Sequence, residues 1–212
     1  MQKIENIIFD YGNVIFTLDF SALKKAFVGL GIADADAFFS HKAQNPWVDA
    51  LDKGELTVAE FRETIRNAAG NPGLADSEID RAWNTLLVGV PEGYHELLLE
   101  LKQHYRTFLL SNNNELHYQW IMDYLRREYQ MAGNATLFER DYYSHLMGLR
   151  KPDPEIFRTV LENHGLEPEQ TLFIDDSPQH IASARQLGIC AELLTANETL
   201  PALLDRLGIL KK

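Results

Sequence analysis

Apolar residues recur along this chain with two periods, and the points where one gives way to the other divide it into elements. "IENIIF", residues 4–9, is a short, nearly continuous apolar run, the pattern of a strand buried on both faces of a parallel sheet. From Phe20 to about Gly89 the period turns helical. Ser21 stands where a cap would precede a helix with Leu23, Ala26, Phe27 and Leu30 on one face, and Gly31 ends it. Thr57 and Glu60 have the spacing of a capping box ahead of Phe61 and Ile65, and Ser77 precedes a helix carrying Ile79, Ala82, Trp83 and Leu86. Between these lies "NPWVDALDKGELT", which reads as a turn-rich connector.

From Pro91 the two periods alternate. Helix "PEGYHELLLELKQHY" leads to strand "RTFLL", helix "NELHYQWIMDYLRREY", a strand near "DYYSH" and helix "PDPEIFRTVLENHG"; strand "TLFID", helix "PQHIASARQLG", strand "CAELL" and a short helix near "LPALLDRLG" follow. Parallel neighbours need a crossover connection, so this alternation predicts an α/β chain with a Rossmann-like, doubly wound parallel sheet. Residues 1–18 and 90–212 would form its core, and residues 19–89 an α-helical unit inserted after the first strand. No internal repeat or low-complexity tract interrupts the pattern.

Composition narrows the partners. The chain has 212 residues and 45% hydrophobic content, enough for a sizeable core and unlike a disordered chain. Its formal net charge of −11 repels nucleic acid and anionic membranes over long range. Cys190 has no second cysteine to pair with, which favours a reducing compartment. No run reaches about 18 apolar residues and no secretion signal is visible, so a cytoplasmic location is expected. The sequon matches at Asn134 and Asn197 are then chance matches.

Polar clusters fall at one set of places. Asp10 follows "NIIF", Ser111 and Asn112 follow "RTFLL", Asp175 and Asp176 close "TLFI", and Lys151 lies in a loop just before a proline-initiated helix. In an open parallel sheet the ligand site lies beyond the carboxyl ends of the strands. Alone, each cluster has an ordinary reading as a helix cap, a turn or a helix start; four in this order converge on one edge. Neighbouring carboxylates raise one another's pKa, so Asp175 beside Asp176 makes most sense next to a cation.

The ordered set "FDYGNV", "LLSNNN", "RKPDPEIF" and "FIDDS" resembles the four motifs of the haloacid dehalogenase superfamily, and the helical insertion is similar to that superfamily's α-helical cap. The resemblance implies that Asp10 attacks phosphorus to form an aspartyl-phosphate and that Ser111 and Asn112 hydrogen-bond the phosphoryl oxygens. Lys151 would neutralise nucleophile and phosphate. Asp176 would hold Mg²⁺ with the Asp10 carboxylate and the Gly12 carbonyl, and Asp175 would act in the outer sphere or through water. These roles suit the chemistry: a carboxylate approaching a phosphate dianion needs concentrated positive charge, and Mg²⁺ takes hard oxygen ligands while keeping several waters.

One expected group is absent. Most phosphatases of the superfamily carry Asp-x-Asp, whose second carboxylate serves as general acid and base, a service typically worth about 10²–10⁴-fold; here that position is Gly12. The Asp-x-Gly-Asn-Val branch, which includes a bacterial α-glucose-1-phosphate phosphatase, resembles "DYGNV", and "DKGELTVAEF" is similar to the same branch. Anomeric and acyl phosphates need less proton donation and are the preferred substrates on this reading. His180 or a group from the cap could supply an acid. A 2-haloacid dehalogenase also lacks the second aspartate, but such enzymes generally do without the acidic pair, and their arginine at the start of the cap has no match after "FTLDF". A third reading is a binding or regulatory protein that keeps the phosphate pocket. The expectation is a Mg²⁺-dependent phosphatase for a small phosphorylated metabolite, such as a sugar phosphate, working as a monomer or homodimer. Trp83 and Phe61 read as core; Trp47 and Asp49 lie where they could reach substrate, with packing the alternative. Asp19 reads as a hinge residue, and His41 and His145 have no metal-ligand spacing.

Overall fold

The computed structural model describes residues 3–38 and 46–210; His41 lies outside them. Its strands are β1 (Asn6–Phe9), β2 (Thr17–Leu18), β3 (Leu87–Gly89), β4 (Arg106–Ser111), β5 (Arg140–Tyr143), β6 (Thr171–Asp175) and β7 (Cys190–Leu193). The inserted helices are α1 (Phe20–Gly29), α2 (Ala35–Phe38), α3 (Pro46–Asp52), α4 (Val58–Ala69) and α5 (Asp76–Asn84). Around the sheet stand α6 (Tyr94–Leu101), α7 (Glu115–Tyr129), α8 (Ser144–Met147), α9 (Pro154–His164), α10 (Pro178–Gln186) and α11 (Leu200–Arg206).

The main sheet runs β5-β4-β1-β6-β7 with every pair parallel, the predicted doubly wound arrangement. Strand alternation sorts the core: Ile7 and Phe9 join one apolar cluster with residues of α6, α7 and α11, while Ile8 joins another with residues of α9 and α10. Phe9 stands opposite both Leu109 and Ile174, so the carboxyl ends of β4, β1 and β6 lie side by side at the switch in strand order, where such sheets bind ligands.

The inserted helices close around their own apolar cluster, in which Phe27, Phe61, Ile65 and Ile79 are fully buried, and Leu116 of α7 completes it. Phe61 and Trp83 are core, as the helical spacing predicts. Trp47 stacks among Phe38, Phe61 and Trp83, which gives it the packing role.

Four local expectations need correction. Asp19, not Ser21, caps α1, accepting the Ala22 N–H at 2.9 Å; a carboxylate already occupies the N-cap position, so the helix starts earlier. Helix α5 begins at Asp76, where Glu78 reaches back to the Ala75 N–H at 2.9 Å, leaving Ser77 inside the first turn. The supposed connector contains α3, which starts on Pro46, a residue well suited to a first helical turn. "YYSH" is a strand only to Tyr143; Ser144 turns into α8 and its hydroxyl holds both the N–H and the carbonyl of Asn113, at 2.8 and 2.9 Å.

The insertion joins the sheet through an antiparallel ribbon, β2 with β3, which the helical pattern of residues 20–89 concealed. Asp19 donates its N–H to the Leu86 carbonyl at 2.8 Å beside it. Gly89 is confined by contact: a Cβ there would lie 2.7 Å from the Tyr124 hydroxyl, which accepts the Val90 N–H at 3.0 Å. No helix among the described residues is long and apolar enough to cross a membrane.

Two substitutions rank these contributions. Thr57 and Glu60 form the predicted capping box, so Thr57→Ala is expected to cost about 1 kcal/mol, whereas Trp83→Ala empties part of a packed cluster and is expected to cost about 3–5 kcal/mol. Urea unfolding curves check both values and their order.

Candidate active site

The centre of the site is a buried cation. Lys151 is 0% exposed, and its Nζ donates to Asp10 Oδ1 and to Asp175 Oδ2, each at 2.7 Å. The Phe173 ring lies beneath it, 5.4 Å from Nζ to centroid. Asp10 follows β1 directly and its N–H donates to the Ile174 carbonyl at 2.9 Å, which fixes it at the strand end. Asp175 ends β6 with both oxygens engaged, Oδ1 also accepting the Ser177 N–H at 2.8 Å and His180 Nδ1 at 2.9 Å. From the end of β4, Asn112 grips the Lys151 main chain from two sides: its Nδ2 donates to the Lys151 carbonyl and its Oδ1 accepts the Lys151 N–H, both at 2.9 Å.

Asp176 faces the same point from the other side. Its Oδ2 accepts Asn13 Nδ2 at 2.9 Å. Asn13 has a φ of +54°, a left-handed conformation that asparagine tolerates better than most residues, and its Oδ1 accepts the Leu18 N–H at 3.3 Å. Asp10, Asp175 and Asp176 each offer an oxygen within 4.8 Å of the others. Three carboxylates thus surround one ammonium. Burial, with Asp175 and Asp176 adding to it against Lys151, pushes the Asp10 carboxyl up to about 7. Burial and the Asp175 charge raise Asp176 as well. Lys151 is held above the usual lysine range because its two carboxylates outweigh the opposing effect of burial.

A cavity of 710 Å³ opens over these groups, within the size range of small-ligand sites. Asp10, Gly12, Asn112, Lys151, Asp176 and His180 line it from the sheet side; Leu23, Asp49, Asp52 and Trp83 line it from the insertion. Arg150 bridges the two, donating from Nη1 to Asp49 Oδ1 at 2.5 Å and from Nη2 to Asp52 Oδ2 at 3.4 Å. Asn114 does the same as N-cap of α7, its Oδ1 accepting Trp83 Nε1 at 3.2 Å and its Nδ2 reaching Asp52 Oδ1 at 3.5 Å. His117 stacks on Trp83 at 4.7 Å, and burial pushes its imidazole down to about 4.

The profile of the haloacid dehalogenase-like hydrolases matches residues 4–188. The chain belongs to that family. It is 32% identical to a D-ribitol-5-phosphate phosphatase of Bacteroides thetaiotaomicron, over 87% of this chain and 89% of that protein. A HAD-family enzyme from the same organism, solved with magnesium and inorganic phosphate, superposes with a TM-score of 0.83 at 34% identity, covering 94% of this chain and 98% of its own. A HAD-like hydrolase from Porphyromonas gingivalis gives a TM-score of 0.87 at 27% identity, covering 98% and 99%. An L-2-haloacid dehalogenase shares the fold, with a TM-score of 0.66 at 16% identity, covering 98% and 100%.

In this hydrolase the fold brings together Asp10, Gly12, Asn112, Lys151, Asp175 and Asp176, as the motif order predicts. Ser111 is buried at the end of β4 and does not line the cavity; its hydroxyl contacts the Asn112 carbonyl at 3.4 Å. The Asn112 side chain, expected on a phosphoryl oxygen, is engaged with Lys151. Asp49 lines the cavity and Trp47 does not. His145 packs against the Tyr118 ring at 5.3 Å, away from the carboxylates. Sequence reasoning missed Asn13, Asp52, Asn114 and Arg150. Arg150 had a visible signal as the basic neighbour of Lys151, whereas Asp52 is identified only by the packing of α3.

Titration of Asp10 makes a stability prediction. Between its ordinary 3.8 and about 7, the folded protein keeps a proton that the unfolded chain has released, so stability falls as pH rises through that window. Asp175 acts in the opposite sense: Lys151 and His180 overcome burial and bring it down to about 2, so its contribution is lost as pH falls from 3.8 toward that value. Asp10→Asn removes the first effect, and the Asp175 titration lies below the pH range compared. In chelator, the stability of this variant relative to wild type is expected to rise by roughly 1–3 kcal/mol from about pH 4.5 to about pH 8. Paired thermal melts measure it, and a flat difference would contradict the charge arrangement.

Proposed function

We propose that this hydrolase is a Mg²⁺-dependent phosphatase of small phosphorylated metabolites, specifically sugar or polyol phosphates, with Asp10 as nucleophile. The observation that carries the reading is the buried Lys151 ammonium shared by Asp10 and Asp175, with Asp176 adjoining. A 2-haloacid dehalogenase has no need of the extra carboxylate. The relatives named as phosphatases support the same choice; the solved dehalogenase, at 16% identity, supports the fold alone.

The donor set suits a hard divalent cation. Three carboxyl groups against one ammonium give an excess of up to two negative charges once all are ionised, and such oxygens are the ligands Mg²⁺ prefers. Asp10 and Asp176, with the Gly12 carbonyl, would hold the ion; Asp175, saturated by Lys151, Ser177 and His180, would act behind them. The ion, when bound, supplies positive charge against the phosphoryl oxygens.

The chain's own groups do the rest. Lys151 keeps the Asp10 carboxylate aligned and offsets the charge of an arriving phosphate, and Asn112 holds the lysine's main chain in place. Ser111, whose hydroxyl donates to the Asn112 carbonyl at 3.4 Å, would have to turn toward the cavity to meet a phosphoryl oxygen. Asp10 would attack phosphorus as the bond to the substrate oxygen breaks, the departing oxygen taking its proton from water, and a second water would cleave the aspartyl-phosphate to return the Asp10 carboxylate and release inorganic phosphate. The helices of residues 19–89 serve as a cap over the core of residues 1–18 and 90–212, excluding bulk water while the cavity is filled.

The substrate preference shifts from the sequence-based expectation. Gly12 favoured anomeric and acyl phosphates, but the relative with 32% identity is named for a phosphate on a polyol chain. Position 12 has little room for the missing acid as packed: a Cβ there would lie 2.7 Å from Leu18 Cδ1, so an aspartate requires that side chain to move.

Phosphate release from a panel of polyol, sugar, acyl and alkyl phosphates tests the proposal. Release is expected with Mg²⁺, is abolished by chelator, and drops by about 10³-fold or more in Asp10→Asn, the loss typical of removing a nucleophile. Retained release in Asp10→Asn contradicts the assignment. Phosphate binding without turnover points to the binding protein, and metal-independent halide release from 2-chloro acids to the dehalogenase.

A further inference from the structure

The cavity wall carries charged groups that the phosphatase chemistry does not use. Asp52 is the most unusual of them. Its side chain is only 13% exposed, and among the described residues its two hydrogen-bonding contacts are long, 3.4 Å from Arg150 Nη2 and 3.5 Å from Asn114 Nδ2. Both lie at the outer limit of hydrogen bonding, while an ionised carboxylate has room for about four donors. Burial pushes the carboxyl up to about 6, with Arg150 and Asn114 only partly offsetting it. Asp52 therefore turns unused accepting capacity toward the cavity it lines, where a ligand can supply donors.

Arg150 has the complementary deficit. Its Nη1 is committed to Asp49, while its Nη2 has, among the described residues, only the 3.4 Å contact with Asp52 and so keeps an N–H to spare. An under-satisfied acceptor and an under-satisfied donor thus sit on neighbouring residues of one cavity wall. A hydroxyl group both donates and accepts, so neighbouring hydroxyls on a carbon chain can satisfy both. An alkyl chain satisfies neither. An ammonium can answer Asp52 but offers nothing to Arg150 and meets its charge. A carboxylate can answer Arg150 but is repelled by Asp49 and Asp52.

We propose that Asp52 is a specificity-determining residue of this site, accepting hydrogen bonds from hydroxyls of a polyhydroxylated phosphate while Arg150 Nη2 donates to a neighbouring hydroxyl. The assignment rests on the phosphatase reading and deepens it. Asp52 belongs to the insertion, whereas Arg150 and Asn114 belong to the sheet side, so hydroxyl binding also joins the two units across the cavity.

The test is the ratio of kcat/KM for D-ribitol 5-phosphate to that for pentyl phosphate, a chain of equal length without hydroxyls, in wild type, Asp52→Asn and Asp52→Ala, with O-phosphoethanolamine as the ammonium-bearing control. Wild type is expected to favour the polyol by about 100-fold or more, since a site built to hydrogen-bond a hydroxyl rejects the analogue lacking it. In Asp52→Ala that ratio is expected to fall by about 30-fold or more, chiefly through KM for the polyol. Asp52→Asn keeps the volume, and its melting curve shows whether the fold persists; a partial fall in the ratio with an unchanged melt supports the proposal. A wild-type ratio near one, a ratio unchanged in Asp52→Ala, or a preference for O-phosphoethanolamine overturns it. p-Nitrophenyl phosphate separates the two claims: a wild type that cleaves it but shows no polyol preference defeats this proposal alone, and a wild type that cleaves nothing defeats the phosphatase reading and this proposal with it.

Discussion

A fully buried ammonium has to be held by opposite charge, because burial alone would strip its proton. Lys151 meets that condition by reaching two carboxylates from different strands, and the geometry of the site follows. Asp10 comes from the end of β1, Asp175 from the end of β6, and the lysine from the loop before α9, whose main chain Asn112 grips from the end of β4. None of these can move without leaving another unpaired inside the protein, and an unpaired buried charge is among the larger costs a fold can incur. The ion pair is weak evidence for overall stability, but it fixes where Asp10 points.

The same imbalance appears twice in the cavity. Around Lys151 three carboxylates oppose one cation, and around Arg150 two carboxylates oppose one guanidinium. Neither group is neutral by itself. The first excess calls for a divalent cation, which in turn makes the place hospitable to a phosphate; the second, with spare accepting capacity at Asp52, calls for neutral donors. An acidic chain can in this way take an anionic ligand at one position of its cavity while its wall selects uncharged hydroxyls.

Most of the sheet was legible because strand and helix periods alternate cleanly after Pro91, and in a parallel sheet the carboxyl ends of all the strands lie at one edge. The site carboxylates and Lys151 were legible for the same reason, since each follows a strand or sits before a proline-started helix. What was not legible depended on partners distant in the chain. Asp52 acquires its character from Arg150, 98 residues later, and no local pattern marks a carboxylate that will be buried by another segment. The β2–β3 ribbon escaped notice because strands of two and three residues are shorter than any period can reveal. Asn112 illustrates a different limit: the motif located it correctly, but only the structure shows its amide serving the lysine backbone.

That ribbon has a consequence of another kind. Because β2 and β3 are neighbours, the chain leaves for the insertion and returns from it at nearly the same place. To the sheet, everything between Phe20 and Leu86 amounts to a single long hairpin loop. Both ends of that stretch are tied at the ribbon, so a change of length within it need not disturb the strand order. What happens inside the loop is felt at the sheet chiefly through the side chains that cross the cavity, above all Asp49 and Asp52 on the guanidinium next to the lysine.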